Sequence, residues 1–270
     1  MSLERARDAL KESTAILVTA GAGMGVDSGL PDFRGDQGFW KAYPPYARLG
    51  LSFVDMANPR WFDDDPRLAW GFYGHRLALY RKTVPHEGFA ILKRLSEARE
   101  HGAFVFTSNV DGQFQRAGFS ADRVLECHGA IDFLQCTRSC GVGIVRADDY
   151  LPEIDPETFR ALGELPKCPR CSALMRPNVL MFGDFSWDGA REAEQARRFE
   201  RWLSKAAGPG LVIIECGAGT HVPTVRMTSE RLARAVRGTL VRINVREPQV
   251  PPGHVGLPMG ALEGLRALVP

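Results

Sequence analysis

Residues 18–35 read VTAGAGMGVDSGLPDFRG and follow the apolar residues AIL at 15–17. An apolar run this short, rich in β-branched residues and stopped by glycine, predicts a buried strand entering a tight turn. Backbone N–H groups at such a strand-to-helix turn carry partial positive charge, and glycine lets a phosphate approach them closely. Glycines stand at 21, 23 and 25, whereas a dinucleotide fingerprint would put its third glycine at 26, where Val26 stands. By spacing alone the loop reads either as a phosphate cradle or as a plain glycine turn.

The same strand signal recurs outward from this loop, as AFVFTS (103–108), RVLEC (123–127), LVIIEC (211–216) and TLVRIN (239–244). Helical patterns lie between several of these runs, at 66–83, 86–100, 189–207 and 224–237. Apolar strands alternating with amphipathic helices predict an α/β fold: a Rossmann-like parallel sheet with helices on both faces. Residues 36–85 and 130–182 break the alternation and read as insertions that together make a smaller lobe. The expected organisation is a discontinuous dinucleotide-binding domain (1–35, 86–129 and 183–270), a helical module with the cofactor loop (36–85) and a cysteine-bearing module (130–182). Sites in such sheets form at the carboxyl ends of the strands, which puts the chemistry in the cleft between the lobes.

The 270 residues carry 34 Lys+Arg against 32 Asp+Glu, a net charge of +2. That balance argues against a dedicated nucleic-acid binder, which shows a marked basic excess. No apolar run reaches the ~18 residues needed to span a bilayer, and the charged N-terminal stretch MSLERARDALKEST lacks the apolar centre of a signal peptide. The expected location is the cytoplasm, with no membrane partner. In a reducing compartment, close cysteine pairs point to metal before disulfide. Cys136 and Cys140 (CTRSC) with Cys168 and Cys171 (CPRC) predict one structural Zn²⁺ held by four thiolates, with no open position for catalysis. Cys127 and Cys216 adjoin strand ends and read as small buried apolar residues.

The continuation past the glycines decides the family resemblance. GAGMGVDSGLPDFRG resembles the GAG-I-S-x-x-SG-I-P-D-F-R signature of the sirtuins, which are NAD-dependent protein-lysine deacylases. TSNVDGQFQRAG (107–118) resembles their TQN-I-D segment, and ECHGAI (126–131) their HG motif. RPNVLMFGD (176–184) resembles RP-x-V-V-x-FGE, and RINVRE (242–247) the late IN-x-E segment. The resemblance spans roughly residues 15–247. It implies NAD as co-substrate, touched by Gly21, Ala22, Gly23, Asp32, Phe33, Arg34, Ser108, Asn109, Asp111, Gly217 and Asn244. It also implies His128 as general base, with Asn109 and Asp111 in catalytic support. Nicotinamide would leave the ribose, the acyl oxygen of a modified lysine would attack that carbon, and His128 would activate a ribose hydroxyl. The products would be free lysine, nicotinamide and acylated ADP-ribose. PDFR would fold over the ribose and phosphates, with Phe33 screening the reactive carbon from water and Arg34 meeting negative charge.

On the substrate side the resemblance implies Val179, Phe182 and Gly183 along an extended edge that pairs with the substrate backbone. Tyr73 and Arg76 stand three apart on a helical stretch and share a face. They resemble the Y-x-x-R pair of sirtuins that remove succinyl, malonyl or glutaryl groups. Read from the residues alone, Tyr73 equally packs inward while Arg76 pairs with a surface acid. His86 is expected to cap or pack a helix. Several positions depart from the family pattern: Gly25 and Gly219 replace serines, Ser108 a glutamine, Thr224 a proline and Asp184 a glutamate. Two other activities compete with deacylation, ADP-ribosyl transfer or NAD hydrolysis and a non-catalytic NAD-sensing module.

Overall fold

The computed structural model describes residues 2–31, 39, 41 and 43–269. Its strands are β1 (Ala15–Ala20), β2 (Ala103–Thr107), β3 (Val124–Glu126), β4 (Gly129–Cys136), β5 (Val145–Arg146), β6 (Met175–Val179), β7 (Leu211–Cys216), β8 (Thr239–Ile243) and β9 (Val255–Leu257). The helices of eight residues or more among the described residues are α1 (Ser2–Lys11), α2 (Pro66–Lys82), α3 (Glu87–Glu97), α4 (Ala190–Ala206), α5 (Thr224–Val236) and α6 (Ala261–Leu268). Six strands form one parallel sheet in the order β3-β2-β1-β7-β8-β9, and three form a small antiparallel sheet, β5-β4-β6. With the small sheet set aside, the parallel order is the 3-2-1-4-5-6 of doubly wound dinucleotide folds, whose ligands sit where the order reverses. Here that point lies between β1 and β7.

Period-two alternation explains how one sheet serves two cores. Ile16 and Val18 face α1, α3 and α6 through Leu10, Phe89, Leu92, Leu265 and Leu268. Ala15 and Leu17 face α4 and α5 through Trp202, Ala206, Val225 and Leu232. Because both faces are covered, β1 and β7 are buried at every residue and carry no polar alternation. His86 caps α3 as expected. Its Nδ1 accepts from the Gly88 N–H at 3.0 Å while Nε2 donates to the Met24 carbonyl at 2.9 Å, which ties α3 to the loop after β1.

A third core joins the segments on either side of the sheet's first crossover. Tyr43, Tyr46, Phe62, Trp70, Phe72 and Tyr73 pack with Ile131, Leu134, Met175 and Val179. The α2 helix starts cleanly, with Asp65 accepting from the Leu68 N–H and Pro66 in the first turn. It is buried nearly all round, so its apolar residues show no stripe. Trp70 Nε1 donates to the Met175 carbonyl at 3.0 Å and pins α2 to β6. The antiparallel sheet, β9 and α6 are elements that the sequence pattern did not announce. Among the described residues no helix is long and apolar enough to cross a membrane.

Candidate active site

The turn after β1 is pressed against the turn after β7. Gly21 N–H donates to the Cys216 carbonyl at 3.0 Å, and Gly23 N–H to the Gly217 carbonyl at 3.1 Å. Gly217 has φ of +63°, and a Cβ there would stand 2.4 Å from the Gly23 backbone, so neither the conformation nor the space admits a side chain. Asn244, just past β8, completes the seam. Its Nδ2 donates to the Ala218 carbonyl at 2.8 Å, and its Oδ1 accepts from the Arg246 and Glu247 N–H groups. Among the described residues the Ala22 N–H meets no acceptor, and Ala22 is exposed at the tip of the turn. The donor set fits a phosphate there. At Gly25 a Cβ would come within 3.1 Å of Leu30 Cδ1, so the family's serine would press on Leu30. Asp32, Phe33 and Arg34 lie outside the described residues.

The ends of β2 and β3 bring the polar residues to the same rim. Thr107 Oγ1 donates to the Ala20 carbonyl and accepts from the Asn109 N–H; Asn109 Nδ2 then donates to the Gly21 carbonyl at 3.0 Å. Ser108 N–H donates to the Ala20 carbonyl at 3.2 Å. Asp111 is 7% exposed, with Oδ1 accepting from the Gln113 N–H at 2.9 Å. Burial outweighs that bond and the nearby Arg116 and Arg76, and raises its pKa from 3.8 to about 6. Between those two values the folded carboxyl keeps a proton that the unfolded chain has released. Stability therefore falls as pH rises from about 4 to about 6 and stays lowered above, by on the order of 3 kcal/mol. Asp111→Asn is expected to gain about that much over the parent at pH 7.5 and little at pH 4, read by denaturant titration at the two pH values.

His128 follows β3. It is half-buried, and burial moves its pKa below the ordinary 6.5, so its imidazole is neutral at physiological pH. Its carbonyl accepts from the Leu180 N–H at 3.0 Å. The next residue explains the HG pair: Gly129 has φ of +76°, and a Cβ would lie 2.1 Å from the Asn178 carbonyl oxygen of β6. Behind the histidine, buried Glu126 pairs with Arg191, whose guanidinium lies 4.0 Å over the Phe133 ring. Neither Glu126 nor Arg191 stood out in the sequence, because they meet across 65 positions.

On the substrate side, β6 stops at Val179, which pairs with Gly129 on β4. The extended edge expected through residue 183 ends early because the chain turns back at Phe182 and Gly183. Asp184, with its side chain fully buried, takes a two-pronged bond from Arg176 at 2.7 and 2.9 Å and closes the turn. Val179 is buried, Phe182 is 40% exposed, and Gly183 has φ of +68°. Tyr73 and Arg76 are both buried on α2, at 1% and 6% exposure. The Tyr73 hydroxyl has no hydrogen-bond partner among the described residues. Arg76 donates to Tyr80, a residue that did not stand out in the sequence although Y-x-x-R-x-x-x-Y puts all three on one helix face.

The Sir2 family profile matches residues 21–200 of the 270. The chain belongs to the Sir2 family. A Thermus thermophilus protein named NAD-dependent protein deacylase is 31% identical to this Sir2 protein over 99% of the chain and 94% of its own length. A Pyrococcus furiosus protein of the same name is 32% identical over 90% and 86%. A solved Sir2 homolog–NAD complex superposes with a TM-score of 0.74 at 26% identity, covering 98% of this chain and 92% of that one. The cysteine pairs fit the family's structural zinc. Their four Sγ atoms lie within 4.8 Å of one another, with Cys136–Cys171 at 3.6 Å and Cys140–Cys168 at 3.5 Å. Tetrahedral thiolates at the usual Zn–S length stand about 3.8 Å apart. Three residues between Cys136 and Cys140, rather than two, still deliver both thiols to the cluster.

Proposed function

We infer that this Sir2 protein is an NAD-dependent protein-lysine deacylase that releases nicotinamide and transfers the lysine's acyl group to ADP-ribose. One observation carries the reading: a neutral, half-buried imidazole and a buried carboxylate stand at neighbouring strand ends, beside the glycine turn where this strand order binds dinucleotides. The names of the Thermus and Pyrococcus relatives point the same way. Bound NAD supplies an electrophilic ribose carbon as nicotinamide departs. The Ala22 N–H is open to phosphate, Gly21 and Gly23 keep the approach to it clear of side chains, and Asp32, Phe33 and Arg34 are proposed to touch the same cofactor. Gly217 and Asn244 hold the facing turn against Gly21 and Gly23, and Ser108 lies alongside. Asn109 and Asp111 orient water and the carboxamide. His128, neutral at the start, takes a proton from a hydroxyl at its ring nitrogen. Val179, Phe182 and Gly183 receive the peptide that carries the acylated lysine.

Mass spectrometry of an acyl-lysine peptide incubated with NAD tests this. Acylated ADP-ribose supports the reading; free ADP-ribose or ADP-ribosylated protein in its place overturns it.

For the acyl group we propose an acidic chain such as succinyl, read by Tyr73 and Arg76. An orphaned phenol beside a buried guanidinium suits a terminal carboxylate, which takes charge-assisted bonds from both. Arg76→Met is expected to lower the succinyl-to-acetyl ratio of kcat/KM by about 10- to 100-fold. Equal losses on the two substrates would discard the acidic chain.

A further inference from the structure

We propose that Tyr80 is a specificity-determining positioning residue, whose phenol fixes the Arg76 guanidinium in the orientation that receives the acyl carboxylate. The proposal rests on the acidic-chain reading of Tyr73 and Arg76. Arg76 and Tyr80 stand one helical turn apart on α2, at 6% and 5% exposure. Arg76 Nε and Nη2 both donate to the Tyr80 hydroxyl oxygen, at 3.0 and 2.8 Å. A guanidinium is a flat fork of five N–H groups, so engaging two nitrogens on one oxygen sets its rotation as well as its place. Aromatic rings fix the plane too: the guanidinium carbon lies 5.0 Å from the Phe72 ring centre, 5.4 Å from Tyr80, and 5.7 Å from both Phe53 and Tyr73.

The chemistry of the anchor matters. A carboxylate at this place would orient Arg76 and add a negative charge beside it; a phenol orients it and adds none. Burial raises the Tyr80 pKa further, so the phenol stays protonated. A phenol that accepts two N–H groups still has one hydrogen to give, and among the described residues that hydrogen meets no acceptor. The Tyr73 hydroxyl is in the same condition. The guanidinium thus lies against two phenols, each with a proton to offer an anion.

The test compares the parent, Arg76→Met, Tyr80→Phe and the double variant on succinyl-lysine and acetyl-lysine forms of one peptide. Tyr80→Phe is expected to lower the succinyl-to-acetyl ratio of kcat/KM about tenfold, through KM for the succinyl peptide more than through kcat. In the Arg76→Met background it adds nothing, because there is no guanidinium left to orient. An unchanged ratio in Tyr80→Phe, while Arg76→Met shifts it, overturns the role of Tyr80 and leaves Arg76 as the reader. A parent with no activity on the succinyl peptide, or an Arg76→Met ratio equal to the parent's, overturns the acidic-chain reading and this proposal with it. Should Tyr80→Phe fail to fold, Tyr80→Met keeps the packing volume without the hydroxyl and answers to the same criteria.

Discussion

His128→Ala is expected to lose deacylation by about 100- to 10,000-fold, the range that a positioned general base contributes, while still binding NAD. The imidazole is the one neutral base that β3 delivers to the rim. Burial keeps it neutral by holding its pKa below 6.5, so in the proposed role it accepts a proton without first losing one. No side-chain hydrogen bond ties His128 to the described residues, so its removal leaves the seam between the β1 and β7 turns intact. The pH dependence separates chemistry from packing. In the parent, kcat/KM rises through an acid limb below pH 6.5 and then levels, as the imidazole gives up its proton. Asp111 titrates near 6 in the same window, so the limb belongs to both groups. Asp111→Asn leaves the histidine's part of the limb, and His128→Ala removes it. Chromatography of acylated ADP-ribose gives the rates, and calorimetry gives the NAD affinity. Undiminished deacylation in His128→Ala would remove the imidazole from the mechanism.

The parallel sheet was legible because burial on both faces leaves a plain signature. LVIIEC coincides with β7, and the other four apolar runs match their strands to within a residue at either end. The four helical stretches were legible for a related reason, since each is bounded by a strand or by a breaker such as Pro66. The antiparallel sheet hid because several of its buried positions are not apolar. β6 reads MRPNV and is buried throughout, yet it carries Arg176, Pro177 and Asn178. These are tolerable only because Asp184 neutralises Arg176, and because Gln135 and the Asp188 carbonyl accept from Asn178. Such partners lie up to 43 positions away, beyond what a local pattern shows. A shift of register between Ala130 and Leu134 further blurs the alternation on β4.

The site was legible to the degree that its residues sit in motifs. Asn109, Asp111 and His128 announced themselves by order along the chain, and the strand ends bring them to one rim. Asn244 was legible as a position and not as a geometry. Its Oδ1 closes its own turn while its Nδ2 reaches the Ala218 carbonyl 26 positions away, a link that no spacing reveals. Arg76 was ambiguous because a Tyr–Arg pair at that spacing arises anywhere on a helix. Its burial and its bonds to Tyr80 come from the packing of α2, which that spacing does not show.

Removing the zinc is expected to cost the enzyme both its activity and a large part of its stability, although the metal stands far from the reacting atoms. Cys136 ends β4 and Gly129 begins it. Between the same two ends β6 takes only the four steps from Met175 to Val179, so at about 3.3 Å per residue Cys136 stands roughly 13 Å along the pair from Gly129, beyond direct contact with His128. The metal therefore acts through the fold. Cys136 and Cys168 are part of the core that holds Trp70, Tyr73 and Met175, so releasing the thiolates loosens the platform under α2 and the β4–β6 pairing next to His128. Free energies of about 10–16 kcal/mol accompany zinc binding in small folded modules, more than a domain of ordinary stability of about 5–15 kcal/mol can lose unharmed. Cys168→Ser should purify with little zinc, melt at a lower temperature, and be cut by protease between residues 137 and 174. Deacylation should fall with the metal content. NAD affinity should fall less, because the β1 and β7 turns are held by their own hydrogen bonds. A metal-free protein that melts and turns over like the parent would show that the thiols need no ion to hold the lobe together.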